Sequence, residues 1–191
     1  MSKRRGVADK QRRLRELRQR MEDHFKLHFP DSRLWFFTDE GGGVDGYLGT
    51  EPVMFVGSRP SSGRGGLAPQ VLGDFYGLMK EYGFSQAHVT DVVKEVGEGD
   101  PSPEEVKQNW PFFLEELRIV QPKVVVALGR WVFDTLEQRL DWLVPVRRFT
   151  HYAYRFRSHS KREEQSRADF ERLKRMLESA DTRDAQDDLI P

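Results

Sequence analysis

The sequence predicts an α/β protein, a three-layer α/β/α sandwich around a central, mostly parallel sheet of roughly four strands. Short apolar runs alternate along the chain with longer segments of helical periodicity. Residues 124–129 are apolar throughout and rich in β-branched side chains, which is typical of a strand covered on both faces. Residues 52–57 form another apolar run that stops abruptly in a turn rich in glycine and proline. In a parallel sheet, such a turn marks the carboxyl end of a strand, where ligands bind.

Residues 1–30 are predicted to form a basic extension that contains one amphipathic helix. The helix is expected from Asp9 to about Phe29, because apolar residues recur there at spacings of three and four: Leu14, Leu17, Met21 and Phe25. Residues 1–8 are expected to be disordered. Acidic residues dilute the arginine-rich face of the helix, so we interpret it as a solvated surface in preference to a phosphate-contacting one.

Residues 31–179 are predicted to form the α/β domain. Its strands are expected at residues 53–56, 87–93, 124–129 and 144–149. Its helices are expected at residues 71–82, 104–120, 130–140 and 166–179. Gly83 is well placed to end the first of these helices, and the proline and carboxylate residues near position 103 predict the start of the next. Residues 180–191 contain few apolar side chains and are expected to be an acidic, flexible tail.

The composition excludes several classes of protein. The 31 basic and 31 acidic residues cancel, so net charge does not indicate a partner. The chain contains no cysteine, which excludes structural disulfides, thiolate catalysis and any cysteine-ligated zinc or iron–sulfur site. No apolar segment approaches the ~20 residues that span a bilayer, and no signal-peptide pattern is present. A cytoplasmic, monomeric protein is therefore expected, without a membrane partner.

Several short stretches occur in an order that resembles one known family. They are Val56–Pro60, Val89–Lys94, Gln121–Gly129 and Thr150–Arg155. Together they resemble the uracil-DNA glycosylase superfamily, and most of all its thermophile-type bacterial and archaeal branch. The likeness covers roughly residues 52–158. Because the chain lacks the iron–sulfur cysteines of that branch, we expect neither a cofactor nor a metal.

The resemblance implies a DNA glycosylase of base excision repair. Such an enzyme hydrolyses the N-glycosidic bond of uracil, or of another deaminated or modified base, after the nucleotide has left the base stack. The sugar passes through a cation-like state while negative charge gathers on the departing base. The expected partner is therefore DNA, duplex or single-stranded, and the protein is expected at the nucleoid when bound to it.

The resemblance places the site at the ends of the predicted strands. The base pocket and its backbone donors are expected in the first turn, at Gly57, Ser58, Arg59, Pro60 and Ser61. The catalytic residues are expected to be His151 and Asp91. His151 suits the role of donor to the base oxygen, because a neutral imidazole N–H donates a hydrogen bond without losing its proton. Its successor, Tyr152, departs from the proline that the family usually has.

Two further positions depart from the family's pattern. The family commonly carries Asp, Glu or Asn at one of the positions of Ser58 and Arg59. Arg59 is permanently protonated, so it cannot act as a general base, and it would repel a sugar cation beside it. Asp91 stands where relatives often have Asn, and an ionised Asp offers acceptors only, which mismatch the O4 atom of uracil. Alternatively, Asp91 replaces the carboxylate missing from the first turn, or it forms an ion pair with Arg59.

These departures leave alternative interpretations of the function. One is a nucleic-acid-binding module that has lost hydrolysis and contacts phosphates through basic residues, at Arg59, Arg64, Arg155 and Arg157. The loop around Arg155 mixes cations with aromatic rings, which fits insertion into a duplex or phosphate contacts. It fits an ordinary exposed basic strand equally well. Another interpretation is an α/β protein that binds a free nucleobase or nucleotide.

Overall fold

A computed structural model of the chain describes residues 2–38, 42–60, 69–140, 143–151 and 159–187. The helices of this part of the chain are α1 (Ser2–His28), α2 (Pro69–Glu81), α3 (Pro103–Val120), α4 (Arg130–Leu140) and α5 (His159–Asp187). The strands are β1 (Glu51–Gly57), β2 (Ala87–Asp91), β3 (Val124–Leu128) and β4 (Val146–Phe149). A short 3-10 helix, Gly46–Leu48, precedes β1.

The strands form one parallel sheet in the order β2-β1-β3-β4. Gly57 at the end of β1 is in register with Asp91 at the end of β2, and Leu128 at the end of β3 is in register with Phe149 at the end of β4. All the strands therefore end at one edge, which we call the carboxyl edge. The strand order reverses between β1 and β3, since β2 lies on one side of β1 and the later strands lie on the other, and α/β sheets of this kind bind ligands at such a point. The predicted four-stranded, parallel α/β sheet is confirmed.

Helices cover the sheet on both faces. On one face, the ring of Phe55 lies 5.8 Å from that of Phe75 in α2 and 5.6 Å from that of Phe170 in α5. Met54, the preceding residue of β1, faces the opposite layer, which buries side chains of α3 and α4: Val106, Phe113, Leu117, Val132, Leu136 and Leu140. The alternation of the two faces along β1 thus produces the three layers that the sequence predicts.

Helix α1 packs on α3 through the apolar edge that the sequence predicts. That edge is completely buried, at Leu14, Leu17, Met21 and Phe25. It meets Ile119 and Val120 at the end of α3. The helix begins at Ser2, so the expectation of disorder is wrong for residues 2–8. The Lys10 ammonium donates a hydrogen bond of 2.7 Å to the carbonyl oxygen of Val120, a tertiary contact that helps to fix the first turns.

Other boundaries differ from the predictions where tertiary contacts intervene. Strand β2 ends at Asp91 instead of residue 93, because the following amides turn to bind the chain after β1. Gly83, at φ 85°, follows α2 in the left-handed conformation that glycine favours. Helix α5 is longer than predicted at both ends and runs to Asp187, into the segment expected to be a flexible tail.

Candidate functional site

The carboxyl edge of the sheet gathers the residues that the sequence singles out. Ser58 directly follows β1, Asp91 ends β2, and His151 lies just beyond the end of β4. Asp91 and Ser58 are therefore on neighbouring strands, and His151 is two strands further along the same edge. With strands ~4.8 Å apart, the distance from the β2 to the β4 position along the edge is about 14 Å.

The turn after β1 is held by the segment that follows β2. The Val92 amide donates to the Gly57 carbonyl oxygen at 2.9 Å, and the Val93 amide donates to that of Ser58 at 3.1 Å. Further on, the Gly97 amide donates to the carbonyl oxygen of Pro60 at 2.9 Å. These bonds fix the backbone of Gly57, Ser58, Arg59 and Pro60, the part of the predicted pocket that the structure describes.

The Arg59 side chain is bound to helix α3 and not to Asp91. Its guanidinium lies 2.5 Å from Glu105 Oε1 and donates to the Glu95 carbonyl oxygen at 3.4 Å. Gly97 permits this path, because a Cβ there would lie 2.5 Å from Arg59 Cζ. Among the described residues, the carboxylate partner of Arg59 is Glu105, so the proposed Arg59–Asp91 ion pair is wrong. The Arg59 side chain is only 9% exposed, and the residue lines a cavity of about 490 Å³ together with Arg33.

Glu105 serves the helix and the turn together. It is the third residue of α3, and its other oxygen accepts a bond of 2.7 Å from the amide of Ser102, while Ser102 Oγ accepts from the Glu105 amide at 3.3 Å. This is a capping box. Burial acts to raise the pKa of Glu105, but the hydrogen bonds from Ser102 and Arg59 hold this pKa below its ordinary value. Glu105 is thus an anion that neutralises Arg59.

Asp91 is a buried carboxyl group without such a partner among the described residues. It is 5% exposed, and its Oδ1 lies so near Gly57 that a Cβ at position 57 would overlap it. Burial raises the pKa of Asp91 to about 7, with the charge of Glu116 adding to the effect and those of Lys94 and Arg59 opposing it. Asp91 therefore titrates close to neutral pH.

A buried ion pair lies directly beneath the end of β2. Lys94 Nζ is 3.1 Å from Glu116 Oε1 and also donates to the main-chain carbonyl oxygen of Asp91. Thr90 Oγ1 donates to Glu116 at 3.0 Å, and His88 Nε2 is 3.7 Å from the same carboxylate. Burial acts to raise the pKa of Glu116, but the Lys94 ammonium and His88 lower it below its ordinary value. The network fixes the main chain that carries Asp91.

Sequence reasoning missed Glu116 and gave Lys94 no role. Glu116 falls on the buried face of α3, between Phe113 and Val120, where the helical spacing requires an apolar residue. A carboxylate at such a position signals a buried partner. That signal was available in the sequence, whereas the identity of the partner depends on the fold.

His151 occupies the other end of the carboxyl edge, above Gly129. A Cβ on Gly129 would lie 3.5 Å from His151 Cβ, and Gly129 has a φ of 107° that favours glycine. The chain before His151 is anchored to α5, because the Thr150 amide donates to the buried Asp169 carboxylate at 2.9 Å. Burial lowers the pKa of His151 to about 4, so its imidazole is neutral at physiological pH.

Several predicted site residues lie outside the described residues: Ser61, Arg64, Arg155 and Arg157. Tyr152 lies outside them as well.

Within the described ranges, no helix has the length and apolar character to cross a membrane. The same ranges contain no cluster of three or more His, Asp or Glu side chains able to hold a metal ion. Since the chain has no cysteine, it does not fit the cysteine-ligated cluster of the thermophile-type branch.

Comparisons with known proteins identify the family of the chain. The family model of the Uracil DNA glycosylase superfamily matches residues 46–178, which include β1 to β4 and the site. The chain is 28% identical over 132 residues to a type-4 uracil-DNA glycosylase of Sulfurisphaera tokodaii. That match covers 60% of this chain and 58% of the relative, so the chain spans less than two thirds of the relative's length. The chain belongs to the uracil-DNA glycosylase superfamily.

Proposed function

We propose that the protein binds DNA and hydrolyses the N-glycosidic bond of a uracil, or another deaminated base, that has rotated out of the stack. The observation that carries the proposal is the placement of Asp91 and His151 at one edge of the sheet, with the turn after β1 between them. A flipped nucleotide needs a reader for its base edge, a donor for its base oxygen and a surface for its sugar. These elements offer all three.

His151 is the donor to the departing base. Negative charge develops on a base oxygen as the glycosidic bond breaks, and an N–H aimed at that oxygen stabilises the transition state more than the ground state. The low pKa of His151 supports this role, because a neutral imidazole keeps its N–H without a proton transfer. The ring packs over Gly129, since a Cβ there would lie 3.6 Å from His151 Cδ2.

The Arg59 charge does not oppose hydrolysis as strongly as the sequence suggests. Its guanidinium pairs with Glu105 at 2.5 Å on the α3 side of the turn, so a sugar cation at the carboxyl edge would meet a neutralised pair. Ser58 then offers a hydroxyl group at the end of β1, able to orient a water molecule. We assign the sugar side of the pocket to Ser58 and the backbone of this turn.

A second candidate function is DNA binding without hydrolysis. It is favoured by the described turn, residues 57–60, which carries neither a carboxylate nor an amide side chain. Loss of a water-orienting group of this kind removes part of the rate enhancement and leaves binding intact. The basic residues assigned to phosphate contacts, Arg64, Arg155 and Arg157, serve either function.

The test is single-turnover strand nicking on duplexes and single strands that contain uracil, hypoxanthine or xanthine, with an undamaged strand as the control. Alkali converts each abasic product to a break, so excision of at least one base is the expected result. Binding to the same DNA is measured over a salt series. No excision, combined with binding that weakens steeply as salt rises, would support the second candidate. Neither excision nor binding would overturn both.

A further inference from the structure

The Asp91 carboxyl group occupies the point at which β1 and β2 end together. It is 5% exposed and lies over Gly57, where the missing side chain leaves the space that Oδ1 fills. Gly57 and Asp91 are paired in register, so the carboxyl group belongs to the carboxyl edge and not to a surface loop. A nucleotide bound at this edge, next to the turn after β1, would present its base to Asp91.

The two cations nearest to the Asp91 carboxyl group are each paired with another carboxylate. The Lys94 ammonium, behind β2, pairs with Glu116 of α3 at 3.1 Å and donates to the main-chain oxygen of Asp91. The Arg59 guanidinium, from the turn after β1, pairs with Glu105 at 2.5 Å. The charged groups that act on Asp91 are Lys94, Arg59 and Glu116. Each of the two cations is paired with a carboxylate other than that of Asp91.

A buried carboxyl group whose neighbouring cations are paired with other carboxylates keeps its proton to higher pH than an exposed carboxyl group. Burial raises the pKa of Asp91 to about 7, against the opposing charges of Lys94 and Arg59 and with the support of Glu116. At neutral pH and below, a large fraction of the molecules therefore carries Asp91 as a carboxylic acid.

A carboxylic acid has the hydrogen-bonding pattern of an amide. Its hydroxyl group donates and its carbonyl oxygen accepts, whereas the ionised form only accepts. Uracil, hypoxanthine and xanthine share one edge, a ring carbonyl beside a ring N–H. The acid form of Asp91 matches that edge with two hydrogen bonds. The ionised form leaves the base carbonyl facing an acceptor, which costs far more than the loss of one bond.

We propose that Asp91 reads the base as an uncharged carboxylic acid, which donates to the ring carbonyl and accepts from the neighbouring ring N–H, and that ionisation of Asp91 abolishes this recognition. This inference rests on the proposed function, since it names the base class and the pH control of the same site. It also removes the mismatch that an ionised Asp91 would have with uracil.

The experiment compares the wild type with Asp91→Asn between pH 6 and pH 8.5. The ligand is a duplex with one 2′-fluoro-deoxyuridine, which resists hydrolysis, and the reference is the same duplex with a tetrahydrofuran abasic site. The wild type is expected to lose its preference for the uracil duplex by about tenfold per pH unit above pH 7. Asp91→Asn is expected to keep a constant preference, because an amide does not ionise. His151 stays neutral over this range and adds no pH dependence.

A second measurement tests the protonation of the Asp91 carboxyl group in the absence of DNA, through the thermal stability of the protein. Because the pKa of Asp91 is raised on folding, the wild type binds a proton that the unfolded chain has lost, and the contribution of Asp91 to stability falls as pH rises from about 4 to about 7. The Tm of Asp91→Asn minus that of the wild type should therefore increase over this range and then level off. A difference that stays flat or decreases would show an ionised Asp91 and would overturn the inference.

The DNA measurements separate this inference from the function on which it rests. A uracil preference with the same pH dependence in both proteins would overturn the inference and leave the glycosylase proposal standing. A wild-type preference that grows above pH 7 would also overturn it and would assign Asp91 to the ionised form. If neither protein binds or cleaves any lesion duplex at any pH, the proposed function fails, and the inference fails with it.

Discussion

The two halves of the carboxyl edge handle charge in opposite ways. Beside the ends of β1 and β2, charged groups form two pairs, the half-buried pair of Arg59 with Glu105 and the buried pair of Lys94 with Glu116. At the ends of β3 and β4, His151 lies over Gly129, and burial is the cause of its lowered pKa. The first half holds charges in fixed positions, and the second offers a neutral donor.

This difference shows how one edge can meet two requirements of glycosidic hydrolysis. In the proposed mechanism, the base pocket needs a defined donor and acceptor pattern without an unpaired charge, and the paired cations around Asp91 would meet that need. The departing base needs a donor that does not exchange its proton, and an imidazole with a pKa of about 4 meets it. The predictions below test whether the two halves are as different as their contacts indicate.

The largest expected effect is on the charged half. Lys94→Met removes the ammonium and leaves Glu116 buried without its main partner, which typically costs about 3–5 kcal/mol in the free energy of unfolding. Urea denaturation at pH 7 measures this loss. The matched control is the double variant Lys94→Met with Glu116→Leu, which removes both charges and should recover most of the stability. If Lys94→Met is as stable as the wild type, Lys94 is not needed to compensate the buried charge of Glu116.

The neutral half should respond in activity and not in stability. His151→Ala removes the donor to the base oxygen, and the loss of one such donor typically lowers the rate about 10²–10³-fold. Single-turnover excision from a uracil duplex measures this rate. His28→Ala changes an exposed histidine of α1 and serves as the control, with no change expected. A His151→Ala rate within about twofold of the wild type would remove His151 from the mechanism.

The fold could be predicted because its signals are local. The apolar run of β3 and the buried stripe of α1 are visible as periodicities of neighbouring residues, and both elements are present. The order of the motifs then placed Asp91 and His151 at strand ends. The expectation of disorder before residue 9 failed because the first turns of α1 are helped by a distant contact, that of Lys10 with Val120.

The contacts within the site could not be predicted in the same way. Arg59 and Glu105 are 46 positions apart, and only the packing of α3 against the turn brings them together. The sequence offered Asp91 as the partner, because both residues end strands. The protonation of Asp91 depends on its burial, and on whether Lys94 and Arg59 are already paired, which are properties of the assembled edge.

A smaller loss of stability is expected from a substitution of Gly57, at the end of β1. Gly57→Ala introduces a methyl group where Asp91 Oδ1 lies, so either the strand end or the carboxyl group must move. Overpacking of this kind typically costs about 1–3 kcal/mol in stability. Calorimetric unfolding and the preference for a uracil duplex should both decrease. The control is Gly73→Ala in α2, where a Cβ meets nothing within 4 Å and a small gain in stability is expected.

The smallest effect should come from the ion pair on the rim of the first half. Glu105→Gln retains the capping box, because glutamine also accepts from Ser102, and it removes only the charge opposite Arg59. We expect a loss of about 1 kcal/mol at pH 7 by urea denaturation. The pKa of Glu105 is lowered on folding, so its contribution is present above its unfolded pKa of 4.5 and is lost as pH falls below that value.

The difference between Glu105→Gln and the wild type should therefore shrink between pH 7 and pH 4. Glu104→Gln is the matched control, because its carboxylate is 66% exposed and lies 3.8 Å from Lys107 on the helix surface, where a change within ~0.5 kcal/mol is expected. The uracil excision rate sharpens the result, since an unpaired Arg59 would repel the sugar cation and slow excision. A rate that Glu105→Gln leaves unchanged would place the Arg59 charge too far from the sugar to matter, and the neutrality of the pocket would then depend on Asp91 alone.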